Sequence, residues 1–160
     1  KLAKIDPKNN YYVYGNKKQV KLSISKKIGK NLYLYDYVAY KKISKILLKM
    51  DLLLMPYTSS ITVAGDVGDI TKYTSPLKLF DYLSVGRPIM CSNFDVLKEI
   101  VGDNKNAIFV KNYKNIYAWK KEITKLSNQL EKMKIISKNN YNLSKKYSLK
   151  KRAKKNYRWN

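Results

Sequence analysis

The chain has no histidine, one cysteine (Cys91) and three arginines (Arg87, Arg152 and Arg158) among its 160 residues. Without histidine there is no Ser-His-Asp triad, no imidazole general base and no His-ligated zinc. A lone cysteine inside an apolar stretch supports neither a disulfide framework nor a cysteine metal cluster. The sequence also lacks a Walker-type Gly-rich loop, which excludes a P-loop NTPase. It has no Asp-x-Asp pair, and its carboxylates are too scattered for a convincing magnesium site, so no metal is expected. No apolar run approaches the roughly eighteen residues of a membrane span, and no signal peptide opens the sequence. A cytoplasmic setting is therefore expected.

Negative charge is scarce. Eleven acidic residues face 34 basic ones, for a net charge of +23. Such a field attracts polyanions: nucleic acid, anionic lipid or anionic substrates. Base reading and bidentate phosphate clamps favour arginine, whereas this excess is diffuse lysine. The fifteen tyrosines are dispersed along the sequence rather than clustered with arginine. Nucleic acid is thus not the expected partner. The inner face of the plasma membrane is one candidate anionic surface. The plainer reading is the Lys-, Asn-, Ile- and Tyr-rich composition of an AT-rich genome.

What is present is enough apolar material, 44% of residues, for one domain with a core of its own. Short β-prone runs at residues 11–14, 31–35, 52–55, 89–90 and 107–110 alternate with helical stretches at 17–30, 40–50, 96–101 and from 114 onward. The run at 52–55 is continuously apolar, as in a buried parallel strand. This alternation predicts an α/β, Rossmann-like parallel sheet with helices on both faces over residues 1–137, followed by a C-terminal helix and tail at 138–160.

Residues 74–90, TSPLKLFDYLSVGRPIM, carry the most information. Ser75 is suited to an N-cap and Pro76 to the first helical position, where a missing N–H costs nothing. Leu77, Phe80 and Leu83 recur at helical spacing, Gly86 ends the helix and Pro88 keeps it from resuming. The free N–H groups near Leu77 and Lys78 make an anion site with a cation in place. Lys78 and Asp81 share a helix face, suited to a phosphate and a polyol. The plain alternatives are a helix cap for Ser75, one surface lysine among many for Lys78, and a surface pairing with Lys78 for Asp81.

The segment SPLKLFDYLSVGRPIM resembles the donor-binding segment of family 4 glycosyltransferases, retaining enzymes of the GT-B fold. The resemblance extends to KILLKMDLLLMPY (residues 45–57), CSNFDVLKEIVGDNKNAIFV (91–110) and YSLKKRAKK (147–155). It implies the C-terminal half of a GT-B fold, with the first strand of a 3-2-1-4-5-6 sheet and the whole N-terminal acceptor domain absent. The fragment is therefore expected to be inactive by itself. The substrate implied is a UDP- or GDP-linked sugar, passed with retention to a hydroxyl of a saccharide or lipid-linked glycan. No other cofactor is implied.

By the same resemblance, Ser75, Leu77 and Lys78 hold the diphosphate, within a donor-binding segment that also includes Tyr73, Thr74 and Pro76, and Asp81, one methylene shorter than the family's usual Glu, holds the ribose hydroxyls. Lys78 and Asp81 are then the residues closest to the chemistry. Gly15 borders the donor cleft, and residues 38–40, beginning with Val38, lie beside the nucleobase, although the usual Gly of that turn is Asp36. The family often carries a second acidic residue eight positions before the first. Here that position is Tyr73, and Asp66 or Asp69 of the preceding loop are the candidates to replace it. The alternative for that loop is ordinary surface. Two rival functions, a basic nucleic-acid-binding domain and a catalytically inactive nucleotide-binding domain, share parts of this pattern.

Overall fold

Strand and helix alternate as the apolar periodicity predicts, and every strand pairs in parallel. The computed structural model describes residues 1–16, 18, 29–57 and 77–147. Most of the helical stretch expected at 17–30, the loop with Asp66 and Asp69, Tyr73 through Pro76 and the tail from 148 lie outside the described residues.

In chain order the elements are α1 (Leu2–Ile5), β1 (Tyr11–Tyr14), β2 (Leu32–Tyr35), α2 (Tyr40–Leu47), β3 (Leu53–Met55) and α3 (Leu77–Ser84). They continue with β4 (Ile89–Ser92), α4 (Asp95–Lys98), β5 (Ala107–Val110), α5 (Ile116–Ser127), α6 (Leu130–Ser144) and a 3₁₀ turn at Lys145–Tyr147. α6 runs without a break across position 137. The strands form two parallel sheets, β1–β2 and β3–β4–β5, rather than one. Among the described residues β1 and β3 share no ladder, so the single 3-2-1-4-5-6 sheet expected from the resemblance is not seen as one continuous sheet.

The three-stranded sheet is covered on both faces, as its continuous apolar runs require. Alternate side chains of β4 and β5 separate cleanly. Ile89, Cys91, Ala107 and Phe109 pack with Met55, with Leu79 and Leu83 of α3, and with Leu97 and Val101. Met90, Ile108 and Val110 face the other way, onto Trp119, Ile123 and Leu126 of α5 and Ile136 of α6. Leu2, Tyr11 and Leu54 pack against this second cluster and tie the N-terminal elements to it.

Several boundaries differ from the sequence expectation for identifiable reasons. β4 continues to Ser92, a polar residue tolerated in a buried strand because its hydroxyl donates to the Tyr57 carbonyl at 2.7 Å. In α3 the buried pair is Leu79 and Leu83, while Leu77 is 69% exposed in the first turn. The core therefore lies about one residue round the helix from the predicted stripe. Gly86 does end this segment: its φ is +63° and its N–H donates to the Leu83 carbonyl at 3.0 Å. α5 is capped by Asn115, whose side chain accepts from the Tyr117 N–H at 2.9 Å.

Candidate functional site

A cavity of about 320 Å³ lies where the β1–β2 sheet, α2 and α3 meet. Its apolar side comes from α2 and its continuation. Ile43, Ile46, Leu47 and Met50 recur at helical spacing, and all four line the cavity. This explains why the helix has a strong apolar face yet no fully buried residue. Its polar side comes from α3, where Lys78 and Asp81 stand one turn apart. Gly15 and Val38 close it from beyond the carboxyl ends of β1 and β2, the end of a parallel sheet where open α/β folds bind ligands.

Four residues singled out from sequence (Gly15, Val38, Lys78 and Asp81) therefore line one cavity, although they span 66 positions of sequence numbering from 15 to 81. Leu77 lies at the start of α3 and is exposed. Tyr73, Thr74, Ser75 and Pro76 lie outside the described residues, as do Asp66 and Asp69. Among the described residues, no heavy atom lies within 4 Å of where a Cβ on Gly15 would stand. Its N–H donates to the Tyr35 carbonyl at 3.1 Å, which fixes the exit from β1.

Asp81 and Lys78 form no ion pair with each other, unlike the plain surface reading of this helix face. Asp81 instead accepts a hydrogen bond from the Tyr40 hydroxyl, 2.8 Å from Oδ1. This carboxylate raises the Tyr40 pKa, through the hydrogen bond and then through its charge. Sequence reasoning placed residues 38–40 beside a base but gave no sign of this contact, which joins positions 41 apart. Tyr82, also on the cavity wall, is largely buried, and burial pushes its phenol up to about 12. It is neutral at physiological pH, and its hydroxyl donates to the Leu54 carbonyl at 3.5 Å. Among the described residues no group of three or more Cys, Asp or Glu side chains is placed to hold a metal ion. No described helix is long and apolar enough to cross a membrane.

The fold is shared with known structures. TarM superposes with a TM-score of 0.68 at 19% identity, over 96% of this chain and 29% of its own. Anabaena HepE in complex with UDP gives 0.63 at 12% identity, over 86% of this chain and 36% of its own. The same protein in complex with UDP-glucose gives 0.62 at 13% identity, with the same coverage. This chain thus spans only about a third of the length of these proteins, and the likeness establishes the fold alone, an α/β arrangement of the GT-B type. No curated protein sequence is significantly similar to it. The family model of the glycosyl transferases group 1 matches residues 1–143, nearly the whole described chain, and the protein belongs to that family.

Proposed function

We propose that this chain is the donor-binding part of a glycosyltransferase that takes a UDP- or GDP-linked sugar and passes the sugar, with retention, to a hydroxyl of a saccharide or lipid-linked glycan. The observation that carries this reading is the meeting of Lys78 and Asp81 from α3 with Gly15 and Val38 around one cavity. HepE, which shares the fold, has been captured with UDP and UDP-glucose. In this reading the diphosphate lies at the start of α3, where unpaired N–H groups and the helix dipole favour negative charge. Ser75, Leu77 and Lys78 hold it, with Thr74 and Pro76 counted to the same donor-binding segment. Lys78 offsets the charge that builds on the leaving diphosphate as the glycosidic bond breaks, so no metal is needed for that step. Asp81 accepts the ribose hydroxyls, and the base lies against Val38 beside Gly15.

Calorimetric titration of UDP and GDP tests this, against a Lys78→Ala/Asp81→Ala double variant. Lysine-rich surfaces bind any polyanion, so the titration is run at two salt concentrations with pyrophosphate as control. Saturable, salt-resistant binding of one nucleotide, weakened at least tenfold in the double variant, is the expected result. Binding that ignores both base and variant and fades with salt would remove the donor site.

A further inference from the structure

We propose that Tyr40 is a positioning residue for Asp81, holding one oxygen of its carboxylate so that the other receives the vicinal diol of a nucleoside diphosphate in the cavity. This rests on the donor-site reading above and assigns to it a residue from a different element. Tyr40 opens α2, directly after Val38 and Ala39, and Asp81 lies on the second turn of α3. The bond between them, 2.8 Å from Oη to Oδ1, therefore links the base side of the cavity to its polar helix.

The chemistry follows from what each group can do. A carboxylate accepts through two oxygens with about four lone-pair sites, and Tyr40 occupies one of them. Oδ2 and the remaining lone pairs stay available to two adjacent hydroxyls. An aspartate near the surface has two side-chain torsions to lose on binding, and fixing them beforehand lowers the cost of capturing a ligand. Lys78 does not do this, since it forms no ion pair with Asp81. The Tyr40 side chain itself buries little, being 74% exposed. Its hydroxyl bond to Asp81, rather than its packing, is what distinguishes it from phenylalanine.

The test uses the whole chain, UDP and GDP, and their 2′,3′-dideoxy diphosphates, titrated into wild type, Tyr40→Phe and Asp81→Asn. The expected result is a loss of about 3- to 10-fold for the ribonucleotide in Tyr40→Phe, the usual range for one ordinary hydrogen bond at an exposed site. The dideoxy nucleotide should bind Tyr40→Phe and wild type alike, and the melting temperature should not move. Equal losses for both nucleotides would mean a merely structural role and overturn the proposal. If Asp81→Asn weakens the ribonucleotide but Tyr40→Phe does not, Tyr40 has no positioning role while the reading of Asp81 stands. Tighter binding by Tyr40→Phe would show the phenol competing for the place of the diol, and would likewise overturn it. If Asp81→Asn does not distinguish ribo- from dideoxynucleotide, or neither nucleotide saturates the chain, the donor-site reading fails and Tyr40 falls with it.

Discussion

Tyr12 and Tyr33 stack face to face, their ring centroids 5.0 Å apart and their planes 14° from parallel. The register of β1 on β2 causes this, because it sets Tyr12 opposite Tyr33 and Tyr14 opposite Tyr35. Tyr14 and Tyr35 stack at 4.8 Å, and Tyr12 meets Tyr35 at 6.5 Å, so four rings form one ladder on one side of the two-stranded sheet. Four of the fifteen tyrosines, dispersed in sequence, are thus brought together in space. Cross-strand aromatic pairs of this kind contribute about 1 kcal/mol beyond the area they bury. Tyr33→Ala should therefore lower stability by about 1 to 2 kcal/mol, read as the urea midpoint by circular dichroism. Tyr33→Phe, which keeps the stack, should stay within about 0.5 kcal/mol of wild type.

Asn140 is completely buried on α6, and its Nδ2 donates at 2.8 Å to the carbonyl of Arg87, in the turn between α3 and β4. Its Oδ1 has no hydrogen-bond partner among the described residues. Asn140→Asp would remove the donor and put a carboxylate where, among the described residues, no hydrogen-bond donor waits for it. Burying an unpaired charge costs far more than a lost neutral hydrogen bond. A loss of about 3 kcal/mol or more at pH 7 is expected, shrinking as the pH falls and the new carboxyl takes up a proton. Denaturant curves at pH 5 and pH 7.5 would check this. A loss independent of pH would mean that the site admits water.

How far the fold and the site could be read from sequence depends on the range of the interaction. The 107–110 strand, the Gly86 stop and the placement of Lys78 and Asp81 on one helix follow from local periodicity and cap chemistry, and the structure agrees. Ser92 was missed as a strand residue because its burial depends on a carbonyl 35 positions away. The bond from Tyr40 to Asp81 and the tyrosine ladder depend on strand register and helix placement, which no short window encodes. Gly15 and Val38 came into view only through family resemblance, since a glycine after a strand and a valine in a turn carry no chemistry of their own.

Gly86 is constrained twice over. Its φ of +63° disfavours any residue with a Cβ, and a Cβ built there would stand 3.1 Å from the Tyr141 Cβ and 3.3 Å from the Ser137 carbonyl oxygen of α6. Gly86→Ala should cost about 1 to 3 kcal/mol by combining the left-handed backbone penalty with this crowding. Gly86→Asn separates the two causes, because asparagine tolerates the backbone conformation but brings the same Cβ. If packing against α6 dominates, both variants lose similar stability in thermal and urea unfolding. A markedly milder Gly86→Asn would assign the cost to φ.

Cys91 is fully buried in β4, and burial pushes its thiol from an ordinary 9.0 up to about 12. It should therefore react very slowly with Ellman's reagent at pH 8 until the chain unfolds. The same shift sets a pH dependence. Between the two values the unfolded chain has lost the thiol proton while the folded chain keeps it, so stability from this group is full below about pH 9 and declines as the pH rises toward 12. Tyr82, raised by burial from 10.0 to about 12, adds a decline of the same sign. Lysine deprotonation changes the charge of the whole chain in this range, so the informative quantity is the stability difference between wild type and Cys91→Ala at each pH. That difference should be constant from pH 7 to 8.5 and then move in favour of Cys91→Ala up to pH 11. A difference that stays flat across this range would show that the thiol is open to solvent.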